Sequence, residues 1–287
     1  MLTSRAPVTR KVRLPVLGLA AYTLAVLYFE RVVLHTDLVI TVGVHTLLGA
    51  VMGILVVFRT NTAYDRWWEG RKVWGQLVND SRNLAFKVQS LIGPPQGQKA
   101  EFGIWLAAFS PVLRDHLRGL ADLQRLPERV PRPPQAPPHL PIYVVSLLFG
   151  QIREWLSRGW LDPVQTLYLD KHISGLMDAC GACERIRNTP MVSSYLAYVK
   201  QVTLLYLMVL PWVFPNALWV LPTTCLIGYF LLGVEHIAED IEDPFGLDED
   251  DLPLDRLCET ISQSVASILP AEEIQEVPGS KLPCRSS

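Results

Sequence analysis

Charge is missing where a soluble protein needs it. Residues 38–58 (LVITVGVHTLLGAVMGILVVF) and 201–234 (QVTLLYLMVLPWVFPNALWVLPTTCLIGYFLLGV) contain no Asp, Glu, Lys or Arg. A water-soluble domain carries charge every few residues, so uncharged runs of 21 and 34 residues point to membrane insertion. Cysteine is scarce too. The five cysteines, an odd number at scattered positions, exclude a disulfide-stapled secreted scaffold. No G-x-G-x-x-G, P-loop, G-x-S-x-G or H-E-x-x-H motif occurs. Without such a constellation the chain is not expected to be an enzyme, and no cofactor is expected. Period-2 runs that would build a sheet are also absent, so the expected fold is all-α.

The charges that are present are unevenly divided. The formal net charge of −2 conceals a body of +9 over residues 1–234 and a tail of −11 over residues 235–287. An acidic tail argues against nucleic acid as partner. Arg5, Arg10, Lys11 and Arg13 precede the first apolar stretch, Leu14 to Phe29, in a pattern that superficially resembles a secretory signal. No small-x-small cleavage pattern follows, and only Asp37 intervenes before the next apolar run, so this stretch reads as a membrane span.

Residues 38–58 make about 31 Å of helix, one crossing of a hydrocarbon core of roughly 30 Å. The 34-residue run is too long for one span and contains Pro211, Pro215, Asn216 and Pro222, so a turn near 215–216 divides it. Four spans result: two within 14–58, two within 191–234. Arg59, Arg66, Arg71 and Lys72 follow the second span, and Arg185 and Arg187 precede the third, whereas the turns near 35–37 and 215–216 have no comparable cluster. The positive-inside rule then puts both termini, residues 59–190 and the acidic region 235–287 in the cytoplasm of a multi-pass inner or plasma membrane protein. Trp67, Trp74, Leu77, Leu84, Val88 and Leu91 recur at helical spacing, so the second span is expected to continue as a long helix. Residues 101–126 and 143–158 read as further helices. Between them, residues 127–141 (PERVPRPPQAPPHLP) hold seven prolines and predict an extended surface linker.

Other motifs have plainer readings. Cys180 and Cys183 form a C-x-x-C inside a helical pattern without a second pair, which reads as core packing. Glu235 and His236 form no second Glu-x-x-His pair, so no di-metal site is expected. The acids Asp248, Glu249, Asp250 and Asp251 do not fit an EF-hand loop and read first as a solvated turn. Ala50, Ile54 and Phe58 lie at i, i+4 and i+8 on one stripe, with Gly49 and Gly53 permitting close approach of another helix. That stripe faces lipid, another helix or a pore.

Three segments, FRTNTAYDRWWEGRKVWGQL after the second span, CERIRNTP before the third and EDPFGLDEDDLPLD after the fourth, together resemble the bestrophin family, most closely its bacterial members. The resemblance spans roughly residues 15–269 and implies a homopentameric ion channel in the lipid bilayer. It carries a pore neck onto Ala50, Ile54 and Phe58, and a cytoplasmic aperture onto Val164 of the Asp-Pro-aliphatic motif. It also carries the calcium loop of animal relatives onto Asp243 and residues 247–251, in degenerate form. Ile54 replaces an aromatic neck layer and Leu247 an acidic position. The expectation is therefore passive permeation of monovalent ions, leaning to Na⁺ and K⁺ with chloride as the alternative, and no gating by calcium. A non-conducting membrane scaffold is the rival from another class.

Overall fold

The computed structural model describes residues 7–34, 42–135, 137–214 and 219–270. Among these there is no strand. Eight α-helices follow in order: α1 (Pro7–Phe29), α2 (Val42–Ser90), α3 (Gln96–Leu117), α4 (Leu140–Ser157), α5 (Pro163–Asn188), α6 (Ser193–Val209), α7 (Val220–Asp240) and α8 (Leu254–Ile268). Four of them, α1, α2, α6 with its short 3₁₀ extension to Trp212, and α7, are long and apolar enough to cross a membrane. The turns expected near 35–37 and 215–216, Arg5, and residues 271–287 lie outside the described residues.

The chain divides into two compact units. The first takes residues 1–72 and 183–252, the second residues 73–182 and 253–287, so α2 and α5 each contribute to both. In the first unit α1 packs along α7. Gly228 makes this approach possible, since a Cβ there would lie 2.4 Å from Leu19 Cδ2. Leu19, Leu207 and Leu210 form a small buried core, with Tyr22, Phe214 and Leu231 packed against it. Tyr22 donates to Met208 O at 2.9 Å and accepts from Trp212 Nε1 at 3.0 Å, pinning α1 to the end of α6.

In the second unit α3 packs against α4 and α8. The Phe102 and Trp155 rings lie 5.4 Å apart in its interior, and Trp155 Nε1 donates to Gln98 Oε1 at 3.0 Å. α8 is amphipathic: Leu254, Cys258, Ile261 and Val265, spaced at three or four, are its buried residues. Both α3 and α4 end in Schellman turns. Gly119 (φ 70°) and Gly159 (φ 72°) take the left-handed conformation, with Leu120 N donating to Asp115 O and Trp160 N to Trp155 O. These glycines place the ends of the two helices, which periodicity alone had put at 126 and 158. The proline-rich stretch has no regular structure up to His139, where His139 Nδ1 accepts from Ile142 N and starts α4. It is not wholly a surface linker, because Val130 is buried at its centre and Trp105 Nε1 donates to Arg129 O.

Candidate functional site

α2 shows opposite chemistry on its two sides over residues 50–63. Ala50, Ile54 and Phe58 are exposed, Ile54 and Phe58 by 58% and 61%. On the other side Met52, Val56, Arg59 and Ala63 are buried within the unit. Gly49 lets Tyr206 of α6 approach, for a Cβ there would lie 2.9 Å from its hydroxyl, and Tyr206 stacks on His45 with centroids 4.3 Å apart. Gly53, expected to do the same, has nothing within 4 Å.

Directly after Phe58 comes a buried charge. Arg59 is 1% exposed; its Nη2 lies 2.8 Å from Glu242 Oε2 and its Nη1 donates to Met191 Sδ at 3.1 Å. Glu235 is buried as well, its carboxylate 3.8 Å from Arg59 Nε and without a hydrogen bond. Glu242 does not share a face of α7 with Glu235, as sequence spacing suggested, because α7 ends at Asp240. Past that end its carboxylate also accepts from Met191 N at 3.3 Å. Arg66, two turns on, donates to the carbonyls of Glu242, Ile186 and Thr189. One guanidinium pair thus ties α2 to the ends of α5 and α7 and to the start of α6. Arg59 and Glu242 are 183 residues apart, and no spacing rule connects them.

The acidic segment after α7 is a closed turn on this unit. Asp251 Oδ2 accepts from Asp248 N at 2.6 Å, Asp243 Oδ1 from Phe245 N at 3.4 Å, and Leu252 N donates to Pro244 O. Phe245 and Leu252 seat against Gly70 of α2, and Trp67 Nε1 donates to Asp250 O at 3.1 Å. Asp243, Asp248 and Asp251 line a cavity of about 380 Å³ with His236, Glu239, Asp240 and Lys11. Glu249 and Asp250 are exposed and do not line it. The Lys11 ammonium, 2.6 Å from Asp240 Oδ1, brings a positive charge of the chain's own into this acidic cavity. Burial, reinforced by Asp248, Asp243 and Asp240, pushes the Asp251 carboxyl up to about 6.

In the second unit the Asp162-Pro163-Val164-Gln165 motif has a local physical meaning. Asp162 Oδ1 accepts from Gln165 N at 2.7 Å, and Asp162 N donates back to Gln165 Oε1 at 3.1 Å, a capping box with Pro163 in the first helical position. The box sets where α5 begins and leaves Val164 57% exposed on its first turn. Cys180 and Cys183 are buried within α5.

A model of the bacterial and fungal bestrophin proteins matches residues 1–267. The chain belongs to the bestrophin family. It is 36% identical over 227 residues to the voltage-dependent anion channel-forming protein alr2987 of Nostoc sp., covering 75% of this chain and 73% of that one. A protein of the same description from Mesorhizobium japonicum, mll4386, is 31% identical over 94% of this chain and 91% of its own. Among solved structures, a variant of the bacterial bestrophin homologue from Klebsiella pneumoniae superposes with a TM-score of 0.80 at 25% identity, covering 90% of this bestrophin and 99% of that chain. The family and its relatives are named as channels, not as enzymes.

Proposed function

We propose that this bestrophin is a homopentameric channel that passes monovalent ions passively down a five-fold axis. The observation that carries the reading is the two-sidedness of α2: an apolar stripe of Ala50, Ile54 and Phe58 left uncovered by its own chain, backed by a side buried through Arg59. Five copies of that stripe around an axis form a neck that water wets poorly and that responds to small changes of radius. Closed cyclic symmetry gives each subunit an identical pair of neighbours. Val164 lines a second constriction at the cytoplasmic exit.

Both termini and residues 59–190 are cytoplasmic in this proposal, with transmembrane helices within 14–58 and 191–234 and the acidic region 235–287 inside. Apart from the basic clusters, the pairs Lys11–Asp240, Arg59–Glu242 and Lys200–Glu239 support it, since they gather the start of α1, the middle of α2, the start of α6 and the end of α7 at one end of the first unit. Cysteines introduced at 36 or 216 should label from outside and one at 72 should not; the reverse pattern removes the topology.

Ion sign has two readings, each with its own support. An aliphatic middle layer, Ile54, and an acidic tail favour Na⁺ and K⁺. The curated relatives are named anion channel-forming proteins, which favours chloride. Purified protein in liposomes under a NaCl gradient decides both questions at once. A reversal potential at the sodium value supports the cation reading, one at the chloride value the anion reading, and no conductance in a folded oligomer leaves a membrane scaffold as the better account. Calcium does not gate the channel: Leu247 offers no side-chain oxygen, the Glu249 and Asp250 carboxylates point away from the cavity, and Lys11 already sits beside Asp240. Flux equal in chelator and in added calcium is the expected result.

A further inference from the structure

We infer that the second unit holds a binding site for a small monovalent anion, built around Lys87 and the first two turns of α5. Lys87 lies on α2 and, together with Gln165, Tyr168, Ser90, Leu91 and Leu169, lines a cavity of about 230 Å³. No carboxylate lines it, and no carboxylate is paired with Lys87. What lies close to the ammonium instead is a carbonyl and an imidazole. Its Nζ donates to Tyr168 O at 3.2 Å and sits 2.8 Å from His172 Nε2, while His172 Nδ1 lies 2.9 Å from Asp80 Oδ1.

This chain of contacts orients every hydrogen. An ammonium only donates, so Nε2 presents its lone pair to Lys87 and the ring proton sits on Nδ1, given to Asp80. Asp80 therefore holds the ring, and the ring holds the lysine. Gly175 allows this, since a Cβ there would lie 2.7 Å from Asp80 Oδ2. His172 itself is 6% exposed, so the lysine is steered by a buried and fixed group. Two of the three ammonium protons are committed, and the third is left for whatever enters the cavity. Gln165 is arranged in the same sense. Its Oε1 accepts from Asp162 N in the capping box, which leaves the amide NH₂, a donor, as its free end. The Tyr168 hydroxyl is exposed by the same first turns of α5.

Donors converge on the cavity, its one charge is positive, and the nearest opposing carboxylate stands behind an imidazole. Such a lining suits an anion, and a single fixed cation matches a single negative charge. The site is independent of which ion the neck conducts. It also lies next to Val164, one residue before Gln165, so occupancy bears on the same turn of helix to which the aperture is assigned.

The test is a chloride titration of the detergent-purified full-length protein in a gluconate background, followed by ³⁵Cl line broadening. A saturable component is expected in the wild type and should weaken at least tenfold, about 1.4 kcal/mol, in Lys87→Met, while Lys87→Arg retains it. Gln165→Glu, at a half-buried position whose substitution keeps the chain folded, should abolish it by placing a carboxylate in the cavity. Nitrate and bromide should compete; acetate and phosphate distinguish an organic or divalent source. The absence of a saturable component in the wild type overturns the proposal, as does its persistence in both Lys87→Met and Gln165→Glu. Displacement by phosphate at lower concentration than by halide overturns the monovalent assignment. Because binding is read without any flux, failure here leaves the channel reading untouched, and a non-conducting protein that binds chloride separates the two in the other direction.

Discussion

The two halves of α2 obey opposite rules. Over residues 42–58 the large apolar side chains Val44, Leu47, Leu48, Val51, Ile54, Val57 and Phe58 are exposed. Over residues 73–90 Trp74, Leu77, Leu84, Ala85 and Val88 are buried, and the exposed positions are Gln76, Asn79, Arg82, Asn83, Gln89 and Ser90, with Phe86 as the exception. The second half is an ordinary amphipathic helix whose own chain covers its apolar side. The first half has no such cover, which is sensible only where the surroundings are lipid, another subunit or a poorly wetted pore. One helix thus passes from one solvent to another, and Arg59 stands at the change.

Four substitutions test this contrast, and their effects on stability should fall in order. Trp74→Ala removes a fully buried ring and should cost about 3–5 kcal/mol, seen as a large loss of thermal stability in detergent. Arg59→Met leaves Glu235 and Glu242 buried without their partner, with a loss of up to about 3–5 kcal/mol. Adding Glu235→Gln to Arg59→Met should recover part of it. A melting temperature unmoved by Arg59→Met would show that the pair is not what closes this side of α2.

Asp251 gives a smaller, pH-dependent effect. Its carboxyl in the folded chain sits near 6, above the ordinary carboxylate value of 3.8, so the fold binds the proton more tightly than the unfolded chain does. The associated stability is fully present below about 3.8, and is lost as pH rises through about 6. Asp251→Asn mimics the protonated form, so wild type should lose ground to this variant between pH 4 and 7. Parallel melting curves across that range would contradict the placement of Asp251 among acids. The smallest change in stability belongs to Ile54→Ala, within about 0.5 kcal/mol, yet it should raise ion flux by widening and wetting the neck. A destabilisation as large as that of Trp74→Ala, with flux unchanged, would move the stripe out of the pore.

Much of this was readable from residues alone, and for identifiable reasons. The spans announce themselves because every buried charge in hydrocarbon is expensive, so the chain leaves 38–58 and 201–234 uncharged. The helical phase that separates Ile54 from Met52 follows from the 3.6-residue turn. The ends of α3 and α4 were harder, since they depend on single glycines at positive φ and not on a repeating pattern. Arg59 meeting Glu242, and Asp80, His172 and Lys87 meeting in sequence, come from distant segments, and a partner 85 or 183 residues away leaves no local trace. The acidic turn was half legible: its oxygen-rich composition is plain, but that Lys11 would share its cavity is not.

Because α2 runs unbroken from Val42 to Ser90, the angular relation between Ile54 and Trp74 is set by the number of residues between them. One inserted residue turns everything downstream by about 100°, which would carry Trp74, Leu77, Leu84 and Val88 out of their pockets together. Seven inserted residues bring the phase back to within about 20°. Length changes in descendants of this gene should therefore collect in stretches such as 127–139, where no helix keeps count. Between 59 and 73 they should be almost never a single codon, and when they occur they should come in steps near seven.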